Sequence, residues 1–161
     1  MFHLNVIKGR LDMITGKGLY MHSQNKISAS MIDRGFIPIF EIKENVSFIM
    51  KHTVDLTDSV TIGEHTTVAG VGTQIWTHAF YIGEKRAEKV LGSVEIGKNC
   101  YIGSNVIICA GVTIRDNIAV GANATVSKDL TKPGLYVNQA LRFIEYDGDK
   151  AIDAIEAKKK L

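Results

Sequence analysis

The five histidines are the side chains best suited to moving a proton near neutral pH. His3 and His22 stand in stretches without a motif, and surface or packing roles are expected for them. His52 and His65 fall at the third and fourth positions of six-residue blocks, where side chains are expected to face solvent. His78 is different. It directly precedes a loop whose middle, GEKRAEK at Gly83–Lys89, is too polar for a core. A histidine at the root of a loop held by a rigid scaffold is placed to act as a general base. The matching chemistry is removal of a proton from an acceptor group as that group attacks. Such a base needs a partner for its second ring nitrogen, and the loop offers Glu84 and Glu88. Trp76 and Thr77, immediately before His78, are expected to bind the acceptor.

The elements that must position His78 follow from a six-residue repeat. From Ile96 the chain reads IGKNCY, IGSNVI, ICAGVT, IRDNIA, VGANAT and VSKDLT. The first position is Ile or Val at 96, 102, 108, 114, 120 and 126. The fifth is Cys100, Val106, Val112, Ile118, Ala124 and Leu130, so all twelve slots are apolar. Gly97, Gly103 and Gly121 share the second position with Cys109, where a small residue is expected to fit a corner of unusual dihedral angles. An earlier stretch, LTDSVT, IGEHTT and VAGVGT from Leu56, has the same grammar, and MKHTVD from Met50 joins it. The two stretches are out of phase by four residues, so something between Gln74 and Glu95 absorbs the offset.

A period of six fits neither an amphipathic helix nor a half-buried alternating strand. It fits a short strand plus a corner, three to a coil, with parallel strands stacked coil on coil. The expected architecture is all-β, a triangular parallel β-helix in one domain. Residues 1–49 are expected as an irregular N-terminal cap, with Pro38 at an edge or strand start. The β-helix occupies 50–131 with a loop at about 79–93, and 132–161 forms a C-terminal extension. Lys132-Pro133-Gly134 ends the repeat, and a short helix is expected around Ala151–Ile155, capped by Asp147 or Asp149.

Composition narrows the function classes. A chain of 161 residues, 22% charged and with net charge +2, lacks the basic surface of a nucleic-acid binder. Lys158–Lys160 reads as a solvated tail. Cys100 and Cys109 lie in no CxxC or Cys/His cluster, so no metal is expected. No apolar run reaches the roughly 18 residues of a membrane span. Met1–Arg10 lacks the pattern of a secretion signal, and the default expectation is cytoplasmic.

The run VEIGKNCYIGSNVIICAGVTIRDNIAVGANATVSKDL resembles the hexapeptide-repeat acyltransferases, especially their maltose/galactoside O-acetyltransferase branch. The resemblance extends over about Val54–Phe143. It implies a left-handed β-helix, a homotrimer with active sites between subunits, and acetyl-CoA as co-substrate. It implies that His78 is the catalytic base, and it favours Glu88 as the orienting loop carboxylate. For the coenzyme it implies Ser104, Ala122, Ser127, Lys128 and Arg142. The implied reaction is O-acetylation of a saccharide or related small hydroxyl acceptor. N-acetylation of an amino sugar or small amine is the alternative, and a non-catalytic β-helical scaffold is the reading from another class. The chain departs from the branch at NQALRF, Glu145 and Tyr101, and no acceptor-site asparagine stands near Ile49 or Met50. A maltose- or galactoside-specific acceptor is therefore not implied.

Overall fold

A computed structural model describes residues 4–29, 35–138 and 142–145. The expected C-terminal helix lies outside the described residues. The first coil comprises β1 (Val6–Lys8), β2 (Asp12–Thr15) and β3 (Tyr20–Met21). The second comprises β4 (Lys26–Ser28), β5 (Ile39–Ile42) and β6 (Ser47–Met50), and the third β7 (Thr53–Asp55), β8 (Val60–Ile62) and β9 (Thr67–Val71). The fourth begins with β10 (Gln74–Ile75) and is interrupted by β11 (His78–Ile82) and β12 (Ala87–Leu91). It resumes with β13 (Val94–Ile96) and β14 (Tyr101–Ile102). The fifth is β15 (Ile107–Ile108), β16 (Thr113–Ile114) and β17 (Ile118–Val120). After β18 (Thr125–Val126), β19 (Gly134–Val137) joins the same stack and β20 (Arg142–Ile144) folds back antiparallel on it.

Every third strand pairs in parallel, giving side sheets β1-β4-β7-β10-β15-β18, β2-β5-β8-β13-β16 and β3-β6-β9-β14-β17-β19. The backbone hydrogen bonds therefore run between coils, as the six-residue period requires. All twelve apolar slots counted from Ile96 face the interior, each 3% exposed or less.

Two details differ from the sequence expectation. Glycine at the second position serves close approach at Gly97 and Gly103, and its φ there is not left-handed. A Cβ on Gly103 would lie 2.7 Å from the Ala122 nitrogen. The left-handed corner is instead the fourth position, where His65, Asn99, Asn105, Asn117 and Asn123 have φ between 53° and 60°. Asparagine tolerates that region better than other side chains because it can hydrogen-bond locally. Here the amides also form a ladder, Asn99 Nδ2 donating to Asn117 Oδ1 and Asn105 Nδ2 to Asn123 Oδ1, both at 3.3 Å.

The second difference is N-terminal. The strands before residue 50 are members of the same sheets, with pairs Ile7↔Ile27, Phe40↔Val60 and Phe48↔Val68. Their coils are longer than eighteen residues: Val6 pairs with Lys26, 20 positions on, and Tyr20 with Ser47, 27 positions on. Extra corner residues hide the period from the sequence without disturbing the stack.

The phase break has a direct structural cause. Val60 pairs with Val94, 34 positions on, whereas Tyr101 pairs with Ala119, 18 positions on. The excess of sixteen residues is two blocks plus the four-residue offset, and it leaves the coil as the β11–β12 hairpin. Glu84–Lys89 are exposed, as their polarity requires.

Candidate active site

His78 is the first residue of β11, at the corner where the coil leaves the sheet of β10. Its ring is partly buried, with 23% of the side chain exposed. Trp76 and Phe80 flank it edge-on at 6.1 and 5.9 Å between ring centroids. Residues 76, 78 and 80 alternate along an extended chain, so their side chains share one face.

The coil above supplies a carboxylate. Asp55 ends β7, next to β10, and is 6% exposed. His78 Nδ1 lies 2.8 Å from Asp55 Oδ2, and facing an ionised carboxylate, which can only accept, this nitrogen is the donor. Thr77 donates to the same oxygen from its hydroxyl at 2.9 Å and from its backbone N–H at 3.2 Å. Thr57 donates its hydroxyl to Asp55 Oδ1 at 3.0 Å, and its oxygen also lies 3.1 Å from His78 Nδ1. The Asp58 N–H donates to the Thr77 hydroxyl oxygen at 2.8 Å. Burial alone would raise the Asp55 pKa, but hydrogen bonds from His78, Thr77 and Thr57 outweigh it and hold the carboxyl below the usual range. Asp55 is thus an ionised acceptor, and His78 Nε2 is left without a hydrogen-bond partner among the described residues.

Two of the expected residues have other neighbours in the single chain. Glu88 is not at His78: it pairs with Tyr81 in the hairpin, three rungs beyond the His78↔Leu91 pair. At about 3.3 Å per residue that is roughly 10 Å along the strand, and Tyr81 and Glu88 share the face opposite to that of His78. Glu84 lies farther still, in the turn. Thr77 is 0% exposed, and its hydroxyl and backbone N–H are turned to Asp55. Trp76 keeps partial exposure beside His78, its Nε1–H donating to Gln74 Oε1 at 3.1 Å.

Asp55 was invisible as a site residue because it is 23 positions from His78 and closes a repeat block, MKHTVD, like any polar residue before a corner. The only local signal is the pair of threonines, Thr57 and Thr77, whose hydroxyls converge on it. His52 also departs from expectation. It is 1% exposed, packs edge-on against Phe48 with centroids 4.9 Å apart, and accepts the Thr73 N–H on Nδ1 at 3.1 Å. Burial lowers its pKa to about 4, partly opposed by the Val68 backbone.

Of the five residues implied for the coenzyme, four divide between two corners and Arg142 stands on β20. Ser104 and Ala122 follow β14 and β17 on adjacent coils, the Asn123 N–H donating to the Ser104 carbonyl at 2.9 Å. The Ser104 hydroxyl faces Gly70 (φ 63°), where any Cβ would overlap it. Ser127 and Lys128 are exposed after β18, on the corner that carries His78 two coils earlier. The five residues from Ala122 to Ser127 span about 16 Å of extended chain, so an elongated ligand is needed to reach both corners. Arg142 pairs with Val137 in the β19–β20 ladder.

Residues 93–128 match the family model described as hexapeptide repeat of succinyl-transferase. The galactoside O-acetyltransferase of Escherichia coli (strain K12) is 34% identical over 86 residues, 53% of this chain and 40% of that protein. The UDP-3-O-acylglucosamine N-acyltransferase of Albidiferax ferrireducens is 28% identical over 105 residues, 65% of this chain and 26% of that protein. The chain therefore spans less than half the length of these relatives. A hexapeptide-repeat-containing acetyltransferase from Vibrio cholerae, solved with acetyl-CoA, superposes with a TM-score of 0.57 at 18% identity, covering 88% of this chain and 69% of that one. The coils wind left-handed, as in those acetyltransferases. With its repeat and its parallel side sheets, the chain has the fold of the hexapeptide-repeat acyltransferases and is similar in sequence to members of that superfamily.

Proposed function

We propose that this protein transfers an acetyl group from acetyl-CoA directly to a hydroxyl of a saccharide or related small acceptor, with His78 as general base. The observation that carries this reading is the state of His78: Nδ1 is engaged by a buried carboxylate while Nε2 has no hydrogen-bond partner among the described residues. Nε2 would accept the acceptor's proton as its oxygen attacks the thioester carbonyl. As the tetrahedral adduct collapses, the C–S bond breaks and the imidazolium returns that proton to the departing thiolate. Trp76 and Phe80 would wall the acceptor beside the base. Ser104, Ala122, Ser127, Lys128 and Arg142 would hold the coenzyme, with Lys128 and Arg142 as its cationic contacts.

We further propose that the protein works as a homotrimer with sites between subunits. Phe80, Tyr81, Ile82 and Tyr101 are 55%, 71%, 77% and 52% exposed in the single chain, on and beside the arm that carries His78. Burying such side chains against a neighbouring copy would stabilise the assembly.

N-acylation is the second reading, supported by the N-acyltransferase among the relatives. The test is a transfer screen with acetyl-CoA over sugars and amino sugars, with His78→Ala as control. Wild-type transfer to a hydroxyl, lost in His78→Ala, is the expected result. Transfer only to amines selects the second reading. No transfer and no CoA binding, or full activity in His78→Ala, overturns the proposal.

A further inference from the structure

We infer that Lys89, on the hairpin strand opposite His78, determines acceptor specificity, and that the acceptor is an acidic saccharide whose anion this ammonium holds. The inference deepens the acyltransfer reading and rests on it for its kinetic consequences. Binding of the acceptor can be observed without turnover.

The hairpin sorts its charges by face. Directly opposed residues of an antiparallel pair project to the same side, and neighbours along a strand to opposite sides. His78 pairs with Leu91, Phe80 with Lys89 and Ile82 with Ala87, so these six side chains share one face. The 5.9 Å between the His78 and Phe80 ring centroids fits that arrangement. Tyr81 and Glu88, paired with each other, are on the reverse. Lys89 is therefore the only lysine, arginine or carboxylate of β11 and β12 on the side of the base, and Glu88 is the only one on the other side.

Its distance from the base suits a small ligand. Lys89 is a diagonal neighbour of His78, and such neighbours are about 7–8 Å apart, the span of roughly one sugar ring. Its cross-strand partner Phe80 is 55% exposed, and a lysine stem can rest on such a surface while its ammonium stays at the rim. The turn cations lie farther out. Arg86 is one rung past the Ile82↔Ala87 pair, roughly 16 Å along the strand from His78.

The ammonium is available. Among the described residues no carboxylate forms an ion pair with Lys89. Asp55, the carboxylate at the base, is 6% exposed and engaged by His78, Thr57 and Thr77. Apart from His78 the rest of the hairpin face is apolar, so a ligand covering it removes water from around the ammonium and strengthens its pull on an anion. A neutral ligand of the same shape would leave that ammonium desolvated and unpaired, which costs affinity. The shared chemistry is thus an anion about one ring from the reacting hydroxyl, carried by a sugar carboxylate or a sugar phosphate.

Trp76 is the only tryptophan of the chain and flanks His78, so its fluorescence reports binding at the site. The probes are glucose and galactose, their uronic acids and their 1-phosphates, titrated into the full chain and then assayed with acetyl-CoA. One acidic form is expected to bind at least about tenfold more tightly than its neutral parent, the scale of one charge-assisted hydrogen bond. Response to the uronic acid or to the phosphate identifies the source of the anion. Lys89→Met should raise Kd and KM for the acidic form by about tenfold. Binding of the neutral parent, kcat and the KM for acetyl-CoA should stay within about twofold. Lys89→Glu should reverse the preference. Lys85→Met removes the same charge from the turn and should leave every value within about twofold.

Equal or tighter binding of the neutral sugars by the wild type overturns the inference, and so does binding of none of the six probes. A raised KM for acetyl-CoA in Lys89→Met with unchanged acceptor binding makes Lys89 a coenzyme contact and overturns it. An equal loss of preference in Lys85→Met reduces the effect to net charge and overturns it as well. Acid-selective binding that is lost in Lys89→Met, without acetyl transfer by the wild type, would instead overturn the acyltransfer reading and leave the anion contact standing.

Discussion

The coils before the hairpin and those after it are built on the same plan but differ in what they bury. After the hairpin, the interior from Val94 to Leu130 is apolar throughout, and the left-handed corners of its blocks are asparagines and Gly111. Before it lie Asn25, His52, Asp55, Thr57, Thr66, Thr73 and Thr77, all 6% exposed or less. Corners there also use Gln24, Lys51 and His65 in the left-handed region. Buried polar groups are generally hydrogen-bonded, and apart from His52 Nε2 the side chains named here are, so these irregular coils carry networks of specific geometry. The regular half is a stack optimised for burial. The irregular half gives up uniformity and gains positions where a carboxylate and an imidazole can be held in register. The hairpin stands at the boundary between the two, and His78 with it.

The contrast can be broken from either side. The largest effect is expected at His78. Replacing it by alanine should lower kcat by at least about 10³-fold while the thermal midpoint stays within a few degrees, measured by acetyl transfer and calorimetry. Stability loss comparable to a core substitution would place His78 among the structural polar groups instead.

Next is the regular half. Ile108→Ala removes a fully buried side chain from the middle of the stack and should cost about 2–5 kcal/mol in urea unfolding, the range for such truncations. A value below about 1 kcal/mol would mean that the stack relaxes around the cavity.

Acid should act on the irregular half. His52 has a folded pKa of about 4 against 6.5 for the free side chain. The unfolded chain therefore binds the extra proton first, and stability rises with pH across this window. The contribution is fully present above pH 6.5 and is lost as pH falls toward 4. A difference of that size corresponds to about 3 kcal/mol. Asp55, whose carboxyl is held low, adds an acid-side loss below the ordinary carboxylate range in the same direction. Unfolding free energies at pH 7.5 and 4.5 should differ markedly in the wild type and less in His52→Leu. An equal difference in both proteins would remove His52 from the account.

The smallest effect is expected at the corners. Asn105→Ala keeps the left-handed φ of 55° but loses the side-chain ladder to Asn123, and should cost about 1–2 kcal/mol. Asn105→Gly, free of the Cβ penalty, should recover part of that loss. If both variants cost the same, the ladder rather than the dihedral governs the corner.

Much of this was legible in the amino-acid order. A six-residue period is a local property, repeated until chance is excluded, and each slot's polarity reports its own burial. That was enough for the all-β solenoid, the extruded segment and the singular place of His78. The coils before residue 50 escaped because two to nine extra residues between their strands erase the period while leaving strand pairing intact.

Sequence by itself determined the repeat, its interior and the residue at which the coil breaks, because these depend on neighbours within a block. Only the tertiary structure decided what meets His78. Asp55 and His78 are 23 residues apart, and their contact depends on how many residues each corner of one coil consumes. A carboxylate ten residues away in the loop is near in sequence yet on the wrong face of a hairpin, because side chains alternate along a strand. Thr77 likewise adjoins His78 in sequence but turns inward to Asp55. The place of His78 could be read along the chain, while its partners were set by the stacking of coils.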